Sequence, residues 1–103
     1  MVSDNLETNS DQACKVAADF FRVLGEPTRL KILMMLLERD LTVSEIADRL
    51  QDSLPAVSQR LTMMKSRDII AQKRDGRFTI CSLTDPMVKD FVKSAILRAE
   101  ATA

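Results

Sequence analysis

Leu54 to Ser82 constrains the fold more than any other part of this 103-residue chain. It reads as one helix followed by a two-stranded hairpin, with Asp75-Gly76 as the turn signal. Such a dipeptide between alternating strands predicts a two-residue type I′ hairpin, because both central positions need positive φ. The same stretch concentrates charge. Between Ser53 and Arg77, Arg60, Lys65, Arg67, Lys73, Arg74 and Arg77 outnumber Asp68 and Asp75, giving +4 in a chain with no net charge. Phosphate neutralisation is the commonest reason to gather charge this way.

Upstream, apolar spacing predicts three helices. Ala13, Val16, Ala17, Phe20, Phe21 and Leu24 form one stripe, so a first helix should span Asp11 to Leu24 and end at Gly25 as a C′ glycine. Residues 1–10 read as a flexible polar arm, leaving 11–103 as one domain. A second helix starts at Pro27 and runs to Arg39, apolar nearly all round and hence central. Thr42 and Glu45 fit a capping box that opens a third helix to Leu50, with Val43, Ile46, Ala47 and Leu50 inward. Ser53 is a natural N-cap for the fourth helix, which carries Pro55 in its first turn and runs to Arg67. Its buried stripe should be Leu54, Val57, Leu61 and Met64. Pro55, Ala56, Gln59, Thr62, Met63 and Ser66 face the other way, with Ser58 at the margin.

Strands are expected from Ile69 to Arg74 and from Arg77 to Leu83. Phe78, Ile80 and Ser82 share one face, and Thr79, Cys81 and Leu83 the other. Thr84 or Asp85 then caps a fifth helix with Pro86 in its first turn and an apolar stripe of Val88, Phe91, Val92, Ala95, Ile96 and Ala99. The expected fold is mainly α with a small β-hairpin.

A third and fourth helix joined by a short turn and followed by a hairpin make a helix-turn-helix with a wing. The fourth helix offers small and amide side chains to base edges: Ala56 and Ser58 permit close approach, and Gln59 can pair bidentately with adenine. Ser53, Pro55 and Thr62 share that end or face of the helix. Lys73, Arg74 and Arg77 would meet phosphate or an adjacent minor groove. Double-stranded DNA is therefore the expected partner. With four Phe and no Trp or Tyr, a stacking platform for single strands is not expected.

Four segments in order, LGEPTRLKIL (Leu24–Leu33), LTVSEIADRL (Leu41–Leu50), PAVSQRL (Pro55–Leu61) and RDGRFTICSL (Arg74–Leu83), resemble the ArsR/SmtB family of winged-helix repressors. The resemblance covers Val16 to Arg98. It implies a homodimer through the first and fifth helices, a palindromic operator, the fourth helix in the major groove, and Ser58 and Gln59 as base contacts. Asp68 stands where the family usually has glycine, and aspartate tolerates the left-handed conformation better than most residues. Metal-binding members place cysteines where this chain has Thr42 and Ser44, or an Asp/His set where it has Asp85, Met87, Arg98 and Ala101. Persulfide-sensing relatives place a helix-two cysteine where Met34 stands. None of these sensor sets is reproduced, and no metal or cofactor is expected.

Two thiols remain. Cys14 and Cys81 could form a thiol switch or a soft-ligand site, Cys14 being placed near a helix start that would favour the thiolate. The competing reading makes both small buried hydrophobes. The methionine pairs Met34-Met35 and Met63-Met64 read as core filling, with Met63 on the exposed side. Histidine is absent, and no nucleophile–base set or glycine-rich phosphate loop is present, so an enzyme is not expected. No run nears a membrane span and the first residues lack a signal-peptide pattern, so a cytoplasmic location is expected. The alternative function is a winged-helix module for protein–protein contact without DNA binding.

Overall fold

A computed structural model describes residues 6–102, with side chains described from Ser10 onward. The elements run α1 (Leu6–Leu24), α2 (Pro27–Glu38), β1 (Leu41–Thr42), α3 (Val43–Leu50), α4 (Leu54–Ser66), β2 (Ala71–Asp75), β3 (Phe78–Ser82) and α5 (Pro86–Thr102).

Helix ends follow local chemistry. Glu26 caps α2 by accepting the N–H groups of Arg29 and Thr28, at 2.9 and 3.2 Å. The Thr42–Glu45 capping box is complete on α3. Ser53 Oγ accepts the Ala56 N–H at 3.2 Å to open α4. Asp85 Oδ1 accepts the Met87 N–H at 2.8 Å to open α5. Asp68 takes a left-handed φ of 57°, so the turn after α4 survives without glycine, and Ile69 and Ile70 enter the core. Gln51 does the same at the end of α3, with φ 57°. Gly25 is not left-handed. It lies against the Phe21 carbonyl, which a Cβ would approach to 3.1 Å.

Several expectations shift. Helix α1 begins at Leu6, inside the segment read as an arm, because propagating an existing helix costs far less than nucleating one. Residues 1–5 of that arm lie outside the described residues. Strand β1 was not expected. It pairs Leu41 with Cys81 and Thr42 with Ile80, making a three-stranded antiparallel sheet of order β1-β3-β2. The hairpin turn is Gly76-Arg77 rather than Asp75-Gly76, since Asp75 pairs with Phe78 inside the ladder. Of the two turn residues, only Gly76 has positive φ, at 62°. One positive-φ glycine at the first turn position fits the II′ pattern.

The core gathers Ile32, Leu33 and Leu36 of α2, Ile46 of α3, Val57, Leu61 and Met64 of α4, Leu41 and Cys81 of the sheet, and Val88 and Val92 of α5. Met63 packs partly against it rather than facing solvent. Met34 emerges from α2, opposite to the expected central burial, where a groove of about 600 Å³ runs between α2 and α5. Leu54 also departs from its expected place. It is 51% exposed because the first turn of α4 projects past the core toward β3.

Candidate nucleic-acid interface

Helix α3 packs across α4, and β1 ties the start of α3 to the wing strand β3. This scaffold leaves one side of α4 open. Pro55, Ser58, Gln59 and Thr62 are exposed there, Ala56 is half-buried, and Ser53 is exposed with its hydroxyl engaged as the cap. On the wing, Lys73, Arg74 and Arg77 are exposed. Arg74 donates to Thr79 Oγ1 at 3.3 Å, bracing it across the hairpin. Arg77 sits at the turn with its guanidinium 5.6 Å from the centre of the Phe78 ring.

Helix and wing meet in a cleft of about 260 Å³ that brings Ser58 together with Arg77, Phe78 and Thr79. Gln59 and Ala56 line a neighbouring cleft of about 240 Å³ with Arg29 and Arg60. The exposed apolar pair Leu54 and Phe78 borders the first cleft and was not foreseen. Helical periodicity had placed Leu54 inward. The face of Phe78 was legible, but nothing marked it as a neighbour of α4.

The positive charge divides into two groups. Arg60 Nη1 donates to Glu26 Oε1 at 2.8 Å. Arg67 donates to Asp19 through Nε at 2.7 Å and Nη2 at 3.4 Å. Two of the six cations of the basic segment are thus turned toward the protein's own carboxylates. Arg29, with a side chain only 14% exposed, donates its Nε to the Val23 carbonyl at 2.6 Å and ties the end of α1 to the start of α2.

The carboxylates respond to these partners. Hydrogen bonds from Arg67 and then Arg22 hold Asp19 below the usual carboxylate range. Partial burial opposes ionisation of Glu26, yet the N–H groups of Arg29 and Thr28 and the charge of Arg60 outweigh it and lower its pKa. The Thr42 N–H lowers that of Glu45 against partial burial, with help from Arg39. Depressed folded-state values contribute stability that is fully present above the ordinary carboxyl values of 4.5 for Glu and 3.8 for Asp. That stability is lost as pH falls through the lower folded values. With no histidine, no side chain has its ordinary pKa between about 5 and 8. Thermal melts should therefore be flat across that window and fall below about pH 4. Glu26→Gln should flatten the acid limb. A marked slope between about pH 6 and 7 would contradict this account.

The thiols sit in opposite environments. Cys14 is exposed, and the early start of α1 puts it well inside the helix, past the first turn where the dipole acts. Cys81 is fully buried on β3, with Gln72 Nε2 donating to its sulfur at 3.5 Å, and burial pushes its pKa up. A soft-ligand site using both would have to draw Cys81 out of the core. Among the described residues, no group of three or more His, Cys, Asp or Glu converges as a metal site. No helix among them is long and apolar enough to cross a membrane.

Among the described residues, five helices, two of them a helix-turn-helix pair, and a basic wing bound to that pair by β1 define a winged helix-turn-helix protein. A model described as bacterial regulatory protein, arsR family, matches residues 26–72, from the α2 cap into β2. The HTH-type transcriptional regulator KmtR of Mycobacterium tuberculosis is 32% identical over 90 residues, covering 87% of this chain and 68% of its own length. The transcriptional repressor SdpR of Bacillus subtilis is 33% identical over 72 residues, covering 70% of this chain and 80% of its own. Among solved structures, M. tuberculosis Rv0081 superposes with a TM-score of 0.80 at 28% identity, covering 87% of this chain and 91% of that one. The chain belongs to the ArsR family and is a transcriptional regulator rather than an enzyme.

Proposed function

We propose that the chain is a homodimeric repressor that occupies a palindromic operator, with α4 in the major groove and the wing beside it. The observation that carries this reading is the cleft joining Ser58 of α4 to Arg77 of the wing, with Gln59 and Thr62 exposed alongside. Ser58 and Gln59 then read base edges. Ala56 and Pro55 allow close approach, and Thr62 and Ser53 flank the contact. Lys73, Arg74 and Arg77 take phosphate or minor groove. The even balance of 15 basic and 15 acidic residues keeps non-specific affinity modest and salt-dependent.

The partner face is α1 with α5. Phe20, Phe21 and Phe91 form a three-ring cluster across the two helices, with centroids 5.6, 5.8 and 6.2 Å apart. Phe21 and Phe91 stay 54% and 42% exposed, so the cluster is half-finished in one chain and a second copy completes it. An inducer acts in this scheme by favouring a dimer whose two α4 helices are wrongly spaced for successive major grooves.

Fluorescence anisotropy on the DNA upstream of its own coding sequence, and on scrambled duplexes, tests the assignment. Gln59→Ala should cost about 1–3 kcal/mol on the operator and relax preference at one base position. Arg77→Ala should weaken every duplex alike and reduce the salt slope by about 1. Equal loss on all sequences for Gln59→Ala would remove it from the base contacts. Wild-type protein that binds neither DNA, but captures a protein through its wing, would favour the protein-contact alternative.

A further inference from the structure

We propose that Arg60 and Arg67 are positioning residues: through Glu26 and Asp19 they clamp α4 to α2 and α1, fixing how the recognition helix is presented instead of contacting phosphate. The proposal rests on the DNA-binding reading for its consequence, though not for its geometry.

Each clamp joins distant parts of the chain. Glu26 lies 34 residues from Arg60, and Asp19 lies 48 from Arg67. The Glu26 anchor is stiff. The oxygen that receives Arg60 also accepts the Arg29 N–H, and its twin accepts the Thr28 N–H, so the carboxylate is fixed to the start of α2. The Asp19 anchor is two-pronged, with Nε and Nη2 of Arg67 on separate carboxylate oxygens. Arg67 is also the C-cap residue of α4, and its Nη1 reaches back to the Met63 carbonyl at 3.5 Å.

The spacing of the two clamps matters. Arg60 sits mid-helix and Arg67 at its end, about 10 Å apart along the axis at 1.5 Å per residue. A single tether would let α4 pivot on its buried residues Val57, Leu61 and Met64, whereas two tethers along the axis fix its tilt. A guanidinium already paired with a carboxylate also neutralises less phosphate charge, and so displaces fewer of the counterions condensed on DNA. Both arginine side chains are about one-third exposed, at 31% and 33%. Their effect should therefore appear in helix presentation more than in global stability. Because α1 also carries the proposed dimer face, the Asp19–Arg67 clamp runs from that interface to the reading helix.

The test combines DNA affinity with amide exchange. Arg60→Gln and Arg67→Gln should each weaken operator binding about two- to fivefold relative to Lys65→Gln, which removes the same charge from an exposed site on α4. Their salt slopes should match that control. The double variant Asp19→Arg/Arg67→Asp, which preserves net charge, should return affinity to within about twofold of wild type, and Arg60→Lys should rescue in part. In DNA-free protein, Arg67→Gln should speed amide exchange in the last turn of α4, and the double variant should slow it again. A salt slope lowered by about 1 beyond the control, with no rescue by the exchanged pair, would make these arginines phosphate ligands and overturn the proposal. If wild type binds no DNA specifically, the functional reading falls by itself. Exchange in α4 unchanged by Arg67→Gln would then overturn the clamp independently.

Discussion

Phe91→Asp should yield a folded monomer that no longer holds its operator. In one chain Phe91 packs edge-on to Phe21 at 5.8 Å and remains 42% exposed, so the isolated subunit tolerates a polar replacement. In the proposed dimer the same position is covered. Losing a buried phenylalanine costs about 1.5–3 kcal/mol, and an unpaired carboxylate in its place costs more. Because the two-fold axis presents the position twice, a dissociation constant raised by about three orders of magnitude or more is expected. DNA affinity falls with it, because the second half-site is gained only at the high effective concentration that linkage provides, a factor of about 10²–10⁴. Sedimentation equilibrium and anisotropy read the two effects, and far-ultraviolet circular dichroism confirms the fold. A variant that stays dimeric would remove α1 and α5 from the interface.

Leu61→Ala should be the most damaging single truncation in the reading head. Leu61 is fully buried, between Val57 and Met64 on the inward face of α4. Removing its branched end forfeits transfer free energy and leaves a cavity, about 2–5 kcal/mol together. A domain of this size has only about 5–15 kcal/mol in total. Urea unfolding should show a lower midpoint at unchanged slope. Operator affinity should fall further than the folded fraction accounts for, because α4 loses the packing that seats it. A loss below about 1 kcal/mol would mean that the site collapses around the gap.

What was legible in the sequence was local. Ser53, Thr42 with Glu45, Pro27, and Asp85 with Pro86 mark helix starts within a turn of where they act, and each reappears as a cap or first-turn residue. The alternation that put Cys81 and Leu83 on one face of the hairpin survives as burial. What was not legible depends on partners distant in sequence. Strand β1 has two residues, too few for any periodicity, and exists because β3 offers it an edge. Leu54 fits the apolar stripe of α4, yet a stripe says nothing of where the core stops. The turn moved by one residue because Asp75-Gly76 and Gly76-Arg77 compete for the same loop, and the second choice lets Asp75 pair with Phe78 and lengthens the ladder. The pairing of Arg60 and Arg67 with Glu26 and Asp19 left no mark in the +4 segment, where a tethered cation counts the same as a free one.

The way the sheet is built separates two properties of the wing. Its root is pinned by the Leu41–Cys81 pair in the core, and Thr42 ties the same root to the start of α3. Its tip, Gly76-Arg77, is bounded only by the Asp75–Phe78 pair, and a Cβ on Gly76 would meet no atom within 4 Å. Direction is therefore set by residues that cannot change without disturbing the core, while reach is set by exposed residues at the tip that lie outside it. Descendants of this sequence can lengthen, shorten or recharge the tip while the angle between the wing and α4 stays inherited.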